Sequence, residues 1–138
     1  MSINVTLSVP SDPKYLCTLR GSVENVLRSV EISDVERSRV ILALDEAATN
    51  VIRHSCGCNP DFNVELSIKA TDKELIIELK DFGDCGTDFD LNKKRTKNIK
   101  NVTPGGFGVG IIKKVMDSVE FTSSPEKGNL LRMRKNIG

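Results

Sequence analysis

The middle of the chain reads FNVELSIKATDKELIIELKD over residues 62–81. Apolar residues occupy every second position in each half of this stretch, and Thr71, Asp72 and Lys73 separate the two halves. Such alternation is typical of strands with one buried face, and a short polar sequence between two alternating runs favours a turn. The sequence therefore predicts an antiparallel strand hairpin that ends at Asp81.

One strand and two helices are predicted upstream of this hairpin. A strand-like alternation covers residues 3–9, and a Ser-Asp-Pro sequence then provides the start of a helix over about residues 13–31. Ser33 and Glu36 form a capping-box pair, after which apolar residues recur at helical spacing. A second helix should therefore run to about His54.

Downstream of the hairpin, residues 82–104 form a polar segment without a sustained apolar period, which favours a long loop. Four glycines between residues 105 and 110 open a short helix, and two further strands come after it. This order of elements predicts an α+β sandwich with helices on one face of a mixed, mostly antiparallel sheet. A chain of 138 residues is expected to form it as a single domain over 1–138.

Composition disfavours several classes of function. A formal net charge of +1 gives no global attraction to nucleic acid or anionic membranes. No apolar run approaches the ~20 residues of a membrane span and no signal peptide is evident, so a cytoplasmic protein is expected. The four cysteines fit no zinc-site spacing and are expected to be free thiols: Cys17, Cys56, Cys58 and Cys85.

The second helix carries an unusual polar stripe. Glu46, Asn50 and His54 are spaced four residues apart and share one face. A solvated polar face is the simpler explanation for such a stripe taken alone. Two glycine-containing segments downstream of the stripe favour a functional site, namely DFGDCG over residues 81–86 and PGGFGVG over residues 104–110.

Taken in order, these segments resemble the nucleotide-binding boxes of the GHKL ATPases. LDEAATNVIRH resembles their Asn box, KDFGDCG their first glycine box, PGGFGVGIIKKVMD their second and SSPEKGNLLRM their final turn and strand. Glycine-rich segments alone are weak signals, but three ordered boxes at family-like spacings are specific. The resemblance covers nearly the whole chain and is greatest to the stand-alone anti-sigma factor serine kinases. It implies the Bergerat ATP-binding fold.

The resemblance also implies roles for the matching residues. Asn50 would offer its amide oxygen to a Mg²⁺ ion that bridges the ATP phosphates, because this ion prefers oxygen ligands. Glu46, one turn earlier, would accept the proton of an incoming serine hydroxyl. Asp81 would accept a hydrogen bond from the amino group of adenine, and Gly83 would permit close approach of the chain beneath the base.

Further ATP contacts are implied at the second glycine box and the last turn. Gly106, Gly108, Val109 and Gly110 would present backbone amides to the phosphates at a helix start. Without the other boxes, a flexible loop explains these glycines equally well. Asn129 stands where many relatives have threonine and would supply a polar group near the base.

Two segments differ from, or vary within, the family pattern. Relatives often carry an arginine just before the second glycine box that touches the terminal phosphate, but Val102, Thr103 and Pro104 stand here. This departure bears on phosphoryl-transfer efficiency more than on nucleotide binding. The basic segment 88–102 matches the variable ATP lid, and Cys85 lies inside the first glycine box.

The implied function is a serine kinase that doubles as an anti-sigma factor. ATP and a serine on an antagonist protein of STAS type would give ADP and phosphoserine, while the unmodified antagonist would compete with a sigma factor for the kinase. The alternative is a catalytically weak module in which ATP only stabilises a partner-binding shape. Retention of Glu46 favours the kinase, and the missing arginine favours the module. A sensor histidine kinase is disfavoured because the only histidine lies in the Asn box. No nucleic acid or membrane partner is expected, and a homodimer is compatible with either function.

Overall fold

The computed structural model describes residues 2–55, 59–83, 104–124 and 126–138, with the backbone alone at residue 55 and residues 104–109. Its helices are α1 (Leu16–Leu27), α2 (Asp34–Asn50) and α3 (Pro104–Val115), and a 3-10 turn (Pro13–Tyr15) precedes α1. Its strands are β1 (Ser2–Pro10), β2 (Asn63–Thr71), β3 (Glu74–Asp81), β4 (Ser118–Ser124) and β5 (Gly128–Asn136). None of the described helices is long and apolar enough to cross a membrane.

The five strands form one sheet in the order β1-β2-β3-β5-β4, and each of its four pairings is antiparallel. The predicted hairpin is β2 and β3. At its turn the Thr71 hydroxyl accepts hydrogen bonds from the backbone amides of Lys73 and Glu74, both at 3.2 Å. The predicted α+β fold is confirmed, and no parallel pairing occurs among the described strands.

One face of the sheet is buried beneath the helices. Residues at alternate positions of β2 and β3 are buried, and the intervening residues are more exposed, as their two-residue apolar period predicted. The helices complete the core with Leu19 of α1, Leu44 of α2 and Ile112 of α3, each almost fully buried. Full burial of such a side chain contributes about 1.5–3 kcal/mol, so this layer is the main source of stability.

Lys135 of β5 holds the ends of two helices together. Its Nζ atom lies 2.9 Å from a carboxylate oxygen of Glu36 at the start of α2, and it donates a 3.0 Å hydrogen bond to the carbonyl of Val115 at the end of α3. Lys135 is the register partner of Leu75, near the start of β3. Helices of this length span ~25 Å and ~18 Å. The end of α2 and the start of α3 therefore both lie away from Lys135, and the segment Val51–Ser55 that follows α2 contacts β3.

The helix boundaries differ from the sequence prediction in two places. α1 ends at Leu27 rather than near residue 31. After Leu27 the backbone hydrogen bonds join residues fewer than four positions apart, such as the 3.2 Å bond from the Val30 amide to the Leu27 carbonyl. α2 ends at Asn50, and the chain continues as a π-helix over Val51–Ser55 that contacts β3. Apolar spacing does not distinguish this π-helical turn from α-helix. The predicted lid, Cys85, Val102 and Thr103 lie outside the described residues.

Candidate functional site

Buried polar side chains lie together at the end of the sheet where strand β3 finishes. Asp81 pairs across the sheet with Val64 on one side and Asn129 on the other, and Asn129 pairs with Ser123 of the edge strand β4. Asp81 is 2% exposed and Asn129 is 4% exposed. Buried polar groups are unfavourable unless they are hydrogen-bonded, so a row of them at one edge marks a candidate site.

Hydrogen bonds connect the predicted adenine-contacting residues to one another. One carboxylate oxygen of Asp81 accepts bonds from the backbone amide of Gly83 at 2.8 Å and from Nδ2 of Asn129 at 2.9 Å. The same Asn129 nitrogen donates to the carbonyl of Gly83 at 3.0 Å, and its Oδ1 accepts a 2.6 Å bond from the Ser123 hydroxyl. The structure therefore brings together Asp81, Gly83 and Asn129, which the sequence had indicated separately, and adds Ser123.

Gly128 is required by the close approach of β5 to the end of β3. Its φ angle is +79°, a conformation that favours glycine. A Cβ atom here would lie 2.5 Å from the carbonyl oxygen of Asp81 and 2.8 Å from the ring of Phe82. The sequence prediction placed Gly128 in a turn and did not include it in the site. Its position directly before Asn129 is the signal that could have indicated this role.

The end of α2 contributes Glu46 and Asn50. Glu46 is half-buried, and its pKa is raised first by burial and then by the negative charge of Asp45. Asn50 is 2% exposed, and its Nδ2 atom has no hydrogen-bond partner among the described residues. A carboxylate with increased basicity and an unsatisfied buried amide thus lie one helical turn apart.

Asp45 is itself held by a residue of α1 that the sequence prediction did not single out. Nε of Arg20 lies 3.0 Å from both carboxylate oxygens of Asp45. The hydrogen bond and charge of Asp45 raise the pKa of Arg20. This ion pair fixes α1 against α2 beside Glu46 and partly compensates the charge of Asp45. The residues are 25 positions apart, and no local pattern connects them.

The second glycine box lies at the start of α3. Gly106, Gly108, Val109 and Gly110 all fall within this helix, whose first residue is Pro104. Proline is favoured at a first helical position, and the amides of the first turn lack intrahelical partners. Gly106 belongs to that first turn, whereas Gly108 and Gly110 come later in the helix. The positive end of the helix dipole lies at this first turn.

These groups fit a purine nucleotide and a magnesium ion. A carboxylate at a strand end can accept a hydrogen bond from a purine amino group, and a helix start binds phosphate oxygens. The Nδ2 atom of Asn50, which has no partner among the described residues, can donate to a phosphate oxygen, and the amide oxygen of an asparagine is a suitable Mg²⁺ ligand. The side-chain amide of asparagine carries a donor at one end and an acceptor at the other, so Asn50 can meet either a phosphate or its counterion.

Arg53 and His54 close the predicted Asn box but are exposed, within the π-helix that continues α2. The buried part of the predicted stripe is therefore limited to Glu46 and Asn50. The polar stripe is neither a simple solvated face nor a continuous buried row.

A comparison with protein-family models matches residues 9–135 to the histidine kinase-like ATPase domain. Among curated proteins, the chain is 29% identical to an anti-sigma F factor of Oceanobacillus iheyensis, covering 99% of this chain and 94% of that protein. It is 23% identical to the serine-protein kinase RsbW of the same organism, covering 96% and 86%. The predicted resemblance to the anti-sigma factor kinases is thereby confirmed.

Among solved structures, a chain in the crystal structure of the SiaB-SiaC complex from Pseudomonas aeruginosa superposes with a TM-score of 0.64. The match covers 96% of this chain and 89% of that chain at 11% identity. At this identity the likeness supports the fold alone.

Proposed function

Because the chain belongs to the histidine kinase-like ATPase domain family, we propose that it is an ATP-dependent protein serine kinase that also acts as an anti-sigma regulatory factor. It phosphorylates a serine on an anti-sigma antagonist protein of STAS type, and it sequesters a sigma factor when that antagonist does not occupy it. The observation that carries this proposal is that Glu46 and the buried Asn50 lie one turn apart at the end of α2, and that the segment Val51–Ser55, which continues this helix, contacts β3, the strand that ends at Asp81. The names of the relatives supply the classes of partner.

Nucleotide binding is assigned to the end of the sheet where β3 finishes at Asp81. Asp81 receives the amino group of adenine, with Gly83 and Asn129 beside it, and the first turn of α3, with Gly106, receives the phosphates, while Gly108, Val109 and Gly110 lie directly after that turn. Asn50 would hold Mg²⁺, which would reduce the negative charge on the phosphates. The buried position of Asp81 supports base recognition, because a desolvated acceptor discriminates strongly between a donor and another acceptor.

Glu46 is assigned as the general base. During transfer, the bond from the γ-phosphorus to its bridging oxygen breaks and a bond to the serine oxygen forms. The serine proton passes to the Glu46 carboxylate, and ADP leaves with the bridging oxygen. Its raised pKa makes Glu46 a stronger base than an exposed glutamate, and its partial exposure leaves it open to a protein substrate.

A second function is supported by one sequence observation. Val102, Thr103 and Pro104 stand where relatives often place a phosphate-contacting arginine. The chain would then be a partner-switching module in which ATP stabilises the partner-binding shape and phosphoryl transfer is weak or lost.

The test is transfer from γ-labelled ATP to candidate antagonist domains encoded in the same genome. We expect a labelled serine on one of them, and a rise in melting temperature with MgATP that exceeds the rise with MgGTP. Asp81→Asn should greatly reduce the ATP-dependent rise, because an amide can present a donor to the adenine amino group. If the protein binds ATP and a sigma factor but transfers phosphate to no antagonist, the partner-switching module becomes the assigned function instead of the kinase. No melting shift with any nucleotide would contradict both functions.

A further inference from the structure

Three side chains form a chain of hydrogen bonds across the strands β4, β5 and β3. Ser123 donates to Asn129 at 2.6 Å, and Asn129 donates to Asp81 at 2.9 Å. The three residues are successive register partners, Ser123 with Asn129 and Asn129 with Asp81. Directly opposed side chains of an antiparallel pair lie close enough for such contacts. The link therefore runs from a surface strand to the buried carboxylate assigned to adenine.

The chemistry of its neighbours determines which way the Asn129 amide points. Both groups near its nitrogen are acceptors, namely the carboxylate of Asp81 and the carbonyl of Gly83. If the amide were reversed, its oxygen would face two other oxygens, which is unfavourable in a buried site. Its own oxygen then meets the Ser123 hydroxyl, which can donate. Ser123 thus stabilises the orientation in which Asn129 donates to Asp81.

The consequence for Asp81 is a fixed carboxylate plane. Two donors meet the same carboxylate oxygen, the Gly83 amide and the Asn129 amide, from different parts of the chain. Rotation about the last side-chain bond of aspartate is otherwise broad. Two bonds at one oxygen restrict that rotation, and with it the direction of the whole carboxylate.

We propose that Asn129, oriented by Ser123, is a positioning residue that sets the preference of the site for 6-aminopurine over 6-oxopurine nucleotides by fixing the carboxylate of Asp81. This inference rests on the proposed nucleotide binding at Asp81. A fixed carboxylate accepts from the 6-amino group of adenine and repels the 6-oxygen of hypoxanthine. A carboxylate that can rotate away loses part of the attraction and part of the repulsion, so the two nucleotides become more alike in affinity.

The experiment compares the dissociation constants of MgATP and MgITP by calorimetry. ITP carries an oxygen at position 6 and a hydrogen on N1, and otherwise keeps the fused purine rings, the ribose and the phosphates of ATP. The parent protein should prefer ATP by at least about tenfold, the size expected when a buried acceptor meets a second acceptor. Asn129→Ala should reduce that ratio to about two- or threefold, mainly by weakening ATP binding.

Two substitutions at Ser123 form a matched pair, and neither disturbs the buried layer because this side chain is exposed. Ser123→Ala should lower the ATP:ITP ratio by a few-fold, and Ser123→Thr, which retains the hydroxyl, should restore it. Thr122→Ala changes a neighbouring exposed residue outside the hydrogen-bond chain and should leave the ratio unchanged.

The outcomes separate this inference from the proposed function. A parent protein that binds neither nucleotide contradicts the proposed function itself. A parent that prefers ATP, with the same ratio in Ser123→Ala and Asn129→Ala, overturns the positioning role. A uniform loss of both affinities in Asn129→Ala also overturns it, since a merely structural residue would weaken both nucleotides equally. Should Asn129→Ala not fold, the ratio in Ser123→Ala against Ser123→Thr decides the question.

Discussion

The two ends of α2 differ in how well their polar groups are paired. At its start, the Ser33 hydroxyl accepts a 3.1 Å bond from the Glu36 amide, and the charged side chains are paired, Asp34 with Arg37 at 2.7 Å and Glu36 with Lys135 at 2.9 Å. At its end, the helix passes into a π-helical turn, and a buried Asn50 amide nitrogen has no partner among the described residues.

The residues at the start of α2 stabilise the helix, whereas those at its end belong to the candidate site. A hydroxyl cap and acidic residues in the first turn stabilise a helix start through its free amides and dipole. Adjacent acids and an unsatisfied buried amide do the opposite at the other end. Local rules are expected to fail where a sequence serves a function. Changes at the end of α2 should therefore affect function, and changes at its start should affect stability.

The largest effect is expected from Glu46→Gln. The variant keeps the size and bonding capacity of the side chain but cannot take a proton, so phosphoryl transfer to an antagonist serine should slow by a factor of ~10² to 10⁴. MgATP should still bind with parental affinity. Single-turnover transfer and calorimetry measure the two quantities.

The matched control is Glu36→Gln at the opposite end of the same helix. It removes the ion pair with Lys135, for which a stability loss of at most about 1 kcal/mol is expected. Its transfer rate should stay near the parental rate. A Glu46→Gln variant with parental transfer would remove Glu46 from the role of base while leaving the kinase assignment intact.

Asn50→Ala should separate stability from nucleotide affinity. The loss of an unsatisfied buried amide offsets the small cavity left behind, so the stability of the nucleotide-free protein should change by no more than about 1 kcal/mol. Affinity for MgATP should fall by about 10- to 100-fold, the range seen when support for a metal is lost. Melting curves with and without MgATP test this, with Thr49→Ala as the neighbouring control. A strongly destabilised variant with an unchanged MgATP shift would show that Asn50 is structural.

A smaller effect, on stability alone, is expected from Ser33→Ala. Loss of the helix cap should lower the free energy of unfolding by about 1 kcal/mol, measured by urea denaturation. Ser38→Ala, an exposed change within the same helix, should be neutral or slightly stabilising because alanine favours helix. Phosphoryl transfer should be parental in both. Equal stabilities of the two variants would argue against the cap.

The smallest effect is a pair of opposite shifts in the pH dependence of transfer. Because burial and Asp45 raise the pKa of Glu46, transfer should be lost as the pH falls through that raised value. Asp45→Asn removes the like charge and should move the acidic limb to lower pH. Arg20→Gln removes the cation paired with Asp45 and should move it to higher pH.

The same pKa has a consequence for stability with a defined sign. A raised folded-state pKa means that folding favours the protonated Glu46, so its charge destabilises the protein above that pKa, and this destabilisation disappears as the pH falls from the raised pKa to the ordinary pKa of a glutamate. The acidic limb of the pH dependence of transfer is measured for each variant from initial rates between about pH 4 and 8. Shifts in the same direction for Asp45→Asn and Arg20→Gln would indicate a structural ion pair with no electrostatic effect on Glu46.

Several features could be predicted because their signals are local. Alternation over residues 62–81 predicted the hairpin, and the Ser33–Glu36 pair predicted the start of α2 within one residue. The ordered boxes indicated Asp81, Gly83 and Asn129, which the structure brings together. The π-helix over Val51–Ser55 was missed because its residues have the same apolar spacing as an α-helix.

The sequence by itself determined most of the elements, the family and several of the side chains at the candidate site. Only the tertiary structure decided which of them meet. β5 lies between β3 and β4 in the sheet, and this order makes Asn129 the neighbour of both Asp81, 48 residues earlier, and Ser123. The Arg20–Asp45 pair and the contacts of Lys135 also join separate elements. Periodicity and capping signals act over one or two turns of chain, whereas these contacts depend on strand order and helix packing.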